Sequence, residues 1–145
     1  MKLPEYVPKA EVQRVCAELG ISDWTKKKKA DVSLDEARII FGHMPKKGLD
    51  VTPEDFCAGL AVELEHGITF KHYNVTNNHP ILTGMIVMAH FMESLDYYKL
   101  LEVAELEGDL VKAIAAGDMA KTKSKYAKLT HARVELSEAE AKRII

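Results

Sequence analysis

Residues 56–67 read FCAGLAVELEHG and residues 80–98 read PILTGMIVMAHFMESLDYY. From Phe56 to Val62 no strongly polar side chain falls on any face, and Ile81 to Met92 is interrupted only by Thr83 and His90. A helix that is apolar all round is a buried helix. The two stretches therefore predict an all-α fold, a compact multi-helix bundle with a central antiparallel helix pair. Phe56, Leu60, Leu64, Ile81, Met85, Met88 and Leu95 are the expected core.

Each stretch also carries a polar pair. Glu63 stands three residues before His66, and His90 three before Glu93. On a helix that spacing puts both members on one face. The reversed order suits antiparallel helices, which then bring like residues to like heights. A buried carboxylate needs a partner, so Glu63, His66, His90 and Glu93 are expected to converge. They are candidate metal ligands, similar in kind to the Glu-x-x-His pairs that ferritin-like proteins project into a bundle core. Oxygen and imidazole donors suit iron, manganese or zinc, so a divalent metal ion is the expected cofactor. The competing reading is a buried Glu–His hydrogen-bond network that fixes helix register in a structural or protein-interaction module.

Convergence carries a condition. His66 closes its helix, whereas His90 lies ten residues into the next, about 15 Å along at 1.5 Å per residue. The connection 67–79 must then run back beside the second helix, bringing His72 or His79 near as a further ligand or lid. Otherwise the pairs meet across a dimer. Thr83, Ile86, His90, Glu93 and Tyr97 form one stripe of a helix expected to run from 80 to about 106.

The flanking chain is read from its punctuation. Pro4 and Pro8 bracket an extended lead-in to a helix over 8–19, which Gly20 ends. Ser33 with Glu36 makes a capping box for a helix over 34–44 that Lys46, Lys47 and Gly48 end, and Thr52-Pro53 opens the helix holding Glu63, closed by Gly67. Gly108-Asp109 and Ala116-Gly117-Asp118 read as breaks. A basic helix is expected over 118–135, and Ser137 with Glu140 as the box of a terminal helix. The run Lys26–Lys29 is expected to be a mobile, solvated loop.

At 145 residues the chain is expected to be one helical domain, with a core over about 33–106 and C-terminal helices over about 109–145. A net charge of −2 gives no general attraction to nucleic acid or anionic membrane. Neither is an expected partner, and a homo-oligomer is left open. Cys16 and Cys57 sit on apolar stripes outside any redox or metal spacing, and read as buried free thiols. With no apolar h-region near the start, the expected compartment is the cytoplasm.

Gly59-Leu60, Glu63-Leu64-Glu65-His66-Gly67, Asn74-Val75-Thr76-Asn77, Ala89-His90 with Glu93, and Asp96-Tyr97-Tyr98 together resemble a family of small prokaryotic and viral helical proteins of unknown function. The resemblance covers roughly residues 33–106. It departs at Phe91, where leucine is expected, and at Leu95, where proline is expected. It implies a helical domain and marks these residues, but brings no reaction with it.

Overall fold

Ser33 and Thr52, read as caps from the sequence, each start a helix. The computed structural model describes residues 7–46 and 48–144; the extended lead-in at Pro4 and the place of Lys47 lie outside the described residues. Helix α1 spans Lys9–Leu19 and stops at Gly20, which takes φ +68°, a left-handed conformation that suits glycine. Helix α2 spans Leu34–Gly42 behind Ser33, whose side chain accepts from the Glu36 N–H. Helix α3 spans Pro53–Thr69 behind Thr52, which accepts from the Asp55 N–H. Helix α4 spans Pro80–Glu93, α5 Tyr97–Ala115 and α6 Met119–Ile144. The fold is all-α, with no strand among the described residues.

The helices fall into two compact units, divided between Leu95 and Asp96. In the first, α3 packs against both α2 and α4. Its core holds Val12, Trp24, Ile40, Phe41, Phe56, Leu60, Leu64, Val87 and Phe91. The Phe41 and Phe56 rings meet at 4.9 Å between centroids. Gly84 allows α4 to close on this cluster. A Cβ there would lie 2.9 Å from Met44 Sδ and 3.1 Å from both Ile40 Cγ2 and Phe56 Cζ.

Helix α4 is not buried all round. Thr83, Gly84, Val87, Met88 and Phe91 face inward, whereas Leu82, Met85, Ile86 and Met92 are exposed. Met85, expected in the core, is thus on the surface, and Ile81 and Leu95 are half-buried. A helix at the edge of a small unit has one neighbour-bearing face, and its composition cannot bury the other.

The capping box of α2 shares its glutamate with a distant partner. Ser33 caps the helix, and the Glu36 carboxylate faces the Ser33 N–H but takes its closest backbone bond from the Ser22 N–H at 2.8 Å. Burial works to raise its pKa, but the Ser22 bonds and nearby Lys27 outweigh that and hold it below the ordinary value. Lys27 lies 3.4 Å from Glu36, donates to the Asp31 carbonyl at 2.7 Å and sits over the Trp24 ring. The lysine run is therefore not solvated throughout: Lys26, Lys28 and Lys29 are exposed, and Lys27 is held. Trp24–Lys26 form a 3-10 turn inside that supposed loop. Cys16 is buried, while Cys57 is half-buried.

The second unit is a helical hairpin. Gly108 does not break α5, and α6 runs through Ser137 without restarting. A lone glycine costs a helix only about 1 kcal/mol relative to alanine, which packing outweighs. The turn falls at Gly117, with φ +66°, and Asp118 caps α6 by accepting from the Lys121 N–H. Leu106, Leu129 and Ala132 form the core, flanked by Val103 and Leu110. Asp109–Lys125 and Glu107–Arg133, each at 2.6 Å, bridge the two helices.

Candidate functional site

Helix α3 continues two residues past Gly67, to Thr69, instead of stopping there. The reason lies in the loop that follows. Asn74 Nδ2 donates to the Gly67 carbonyl at 3.0 Å and to Asn78 Oδ1 at 2.8 Å. A Cβ at position 67 would lie 2.0 Å from Asn78 Oδ1 and 2.9 Å from Asn74 Nδ2. Gly67 is therefore a docking site for the loop and not a helix stop. Asn77 and Asn78 take φ of 50° and 60°, left-handed values that asparagine tolerates better than most residues.

His79 closes the loop. It is buried, and its Nδ1 accepts from the Leu82 N–H at 3.3 Å as the N-cap of α4. Burial holds its pKa below the ordinary histidine value, which favours the neutral ring that this acceptor role requires. Its place as a possible ligand or lid is thus taken by a capping role. His72 sits exposed in the 3-10 turn Lys71–Tyr73.

The four candidate ligands do come together, as a chain of contacts. His66 Nδ1 lies 3.8 Å from Glu63 Oε2, His90 Nε2 3.5 Å from Glu63 Oε1, and His90 Nδ1 3.7 Å from Glu93 Oε2. The Glu63 side chain is 13% exposed, His90 27%, His66 54% and Glu93 70%. The carboxylate between the two imidazoles is therefore the sheltered member, and the ends open to solvent. The expected helix over 80–106 is interrupted: α4 ends at Glu93, Ser94 takes an extended conformation, and α5 starts afresh at Tyr97.

A metal site needs several donor atoms about 2.0–2.2 Å from one centre. Here the two Glu63 oxygens face different histidines and the two His90 nitrogens face different carboxylates. The donors lie in a row, not around a point. Among the described residues no group of three or more His, Cys, Asp or Glu side chains is placed to hold a metal ion.

Beside the row lies a cleft of about 490 Å³, lined by Glu63, His66, Phe70, Tyr73, Asn74 and Thr83 among others. Phe70 and Tyr73 present exposed rings at its mouth. Sequence reasoning missed both, although the aromatic pair at i, i+3 just before the asparagine cluster was a visible signal. Ile86 completes an apolar wall.

No helix among the described residues is long and apolar enough to cross a membrane. No curated protein and no solved structure matches the chain. One family does, over α1 to the middle of α5, a wider span than the sequence resemblance marked. The chain belongs to the family described as "Protein of unknown function (DUF5661)", whose family model matches residues 12–107.

Proposed function

We propose that this protein is a non-catalytic binding module that takes a small organic ligand in the cleft beside Glu63. The observation that carries the reading is the sheltered Glu63 carboxylate, held between His66 and His90 at the edge of a concavity. A volume of about 490 Å³ falls within the roughly 300–1,000 Å³ of small-molecule sites. Glu63 supplies a hydrogen-bond acceptor and negative charge. Phe70, Tyr73 and Ile86 supply an apolar wall. The ligand this favours has an apolar or aromatic body and a protonated amine or other donor.

In this reading the Glu63–His90 contact keeps the carboxylate aimed while the loop fastened at Gly67 forms the opposite wall. Titration with phenethylamine, followed by NMR, tests it against phenylacetate of similar shape and opposite charge. The amine is expected to shift resonances of Phe70, Tyr73 and Gly67, and Glu63→Gln is expected to weaken binding about 10-fold or more, the scale of a charge-assisted hydrogen bond. Absence of any shift with the amine at millimolar concentration removes the reading. Stoichiometric zinc, manganese or ferrous ion that survives gel filtration and is lost in His90→Ala turns it to a metal centre instead.

A further inference from the structure

The α5–α6 hairpin has a second apolar face that its own core does not use. On α5, Leu100, Ala104, Val111, Ile114 and Ala115 are exposed, to one side of the row Val103, Leu106, Leu110 and Ala113. On α6, Met119, Tyr126 and Val134 are exposed while Leu129 and Ala132 are buried. Residues advance about 100° each along a helix. By that count each exposed stripe lies about 120° from its own buried row, in the same sense along the chain. Two antiparallel helices turned in the same sense present their stripes on the same side. The hairpin therefore offers one face with exposed apolar residues on both helices, interspersed on α6 with Lys123, Thr130 and Ser137.

A charge pair sits within that face. Glu107 and Arg133, 2.6 Å apart and each about half exposed, bridge the groove between the two helices. Their helices differ in sign: α5 carries two lysines and four acidic residues, net −2, and α6 carries seven basic and three acidic residues, net +4. What covers this face must match apolar stripes on either side of a +/− pair.

We propose that the occupant is a second copy of the same hairpin, related by a two-fold axis parallel to the helices, giving a four-helix bundle. That symmetry keeps every residue at its own height and lays α5 of one copy on α6 of the other, antiparallel. Glu107 then meets Arg133 of the second copy as well as its own, and the four charges alternate around a square. A two-fold axis across the helices would instead lay α6 on α6, net +4 against net +4. Electrostatic matching selects the first arrangement, and closed two-fold pairing is the common form of self-association. The area is also sufficient. Nineteen residues make α5 about 28 Å long, and two helices each about 10 Å across present on the order of 600 Å² per copy. Two such faces bury about 1,200 Å² in total, the lower bound for a specific stable interface.

Light scattering on the full chain, from micromolar to near-millimolar concentration, is expected to give twice the 16.2 kDa chain mass. Val111→Asp, Glu107→Arg and Arg133→Glu are each expected to give the monomer mass with helical circular dichroism retained. Mixing the Glu107→Arg and Arg133→Glu chains is the decisive arm. It restores opposite charges between copies but not within either chain, so it is expected to return the dimer mass. A wild-type monomer at all concentrations, a dimer indifferent to Val111→Asp and both reversals, or a mixture that stays monomeric overturns the proposal.

Discussion

Asp96 and Arg143, 47 residues apart, clasp the open end of the α5–α6 hairpin through two parallel hydrogen bonds, one of them 2.7 Å from Arg143 Nη2 to Asp96 Oδ1. The Asp96 side chain is 6% exposed and Arg143 40%. Bidentate guanidinium–carboxylate pairing is strong and directional, and here it holds the end opposite the Gly117 turn. Arg143→Ala is expected to cost about 1–3 kcal/mol, because a buried carboxylate loses its guanidinium. Urea unfolding measures the loss, and hydrogen exchange is expected to place it in the last turns of α6. Arg143→Lys keeps the charge but not the fork, and is expected to recover only part of it.

Phe56 and Met85 test which face of each helix is inside. Phe56 is fully buried beneath Gly84, whereas Met85 is 47% exposed. Phe56→Ala is expected to cost about 3–5 kcal/mol and Met85→Ala under about 1 kcal/mol. Comparable losses in the two variants would place Met85 in a core.

Gly67→Ala is expected to destabilise, against the usual trend. Elsewhere in a helix the change gains up to about 1 kcal/mol. Here the added methyl strikes the Asn78 and Asn74 amides, and overpacking of this kind costs about 1–3 kcal/mol. Hydrogen exchange is expected to quicken across residues 70–79 while α2 stays protected. Any ligand held by the cleft is expected to bind more weakly.

His79 gives stability a pH dependence whose sign follows from its burial. Burial lowers its pKa from the ordinary 6.5, with the Glu11 carboxylate partly opposing. The unfolded chain then takes up a proton at a pH where the folded chain does not. This contribution to stability is complete above the unfolded value and is lost as pH falls below it toward the folded one. His79→Asn keeps a capping acceptor for the Leu82 N–H but does not titrate. Unfolding free energies at about pH 7.5 and pH 5 are expected to fall further on acidification in the wild-type chain than in the variant.

Much of the helical layout was legible because its causes are local. Thr52-Pro53, Ser33 and Gly20 start or stop helices through bonds within a few residues, and the sequence shows them directly. The Glu63–His66 and His90–Glu93 pairs were legible for the same reason, since i, i+3 spacing is a property of one helix. Where reading failed, a distant partner decided. Glu36 was legible as a capping residue, but its bonds to Ser22, fourteen residues away, were not. Lys27 belongs to a run that looks solvated, yet Glu36 and Trp24 hold it.

By itself the sequence determined that this chain is helical, where most helices begin, and which four side chains carry the polar seam. Tertiary structure alone decided that α4 buries one face and exposes Met85, that Gly67 receives a loop instead of ending a helix, and that the glutamates and histidines stand in a row beside a cleft. The physical reason is range. Backbone propensity and capping act over one or two turns, whereas burial, close approach and the direction of a side chain's partner depend on which distant residues the fold brings alongside.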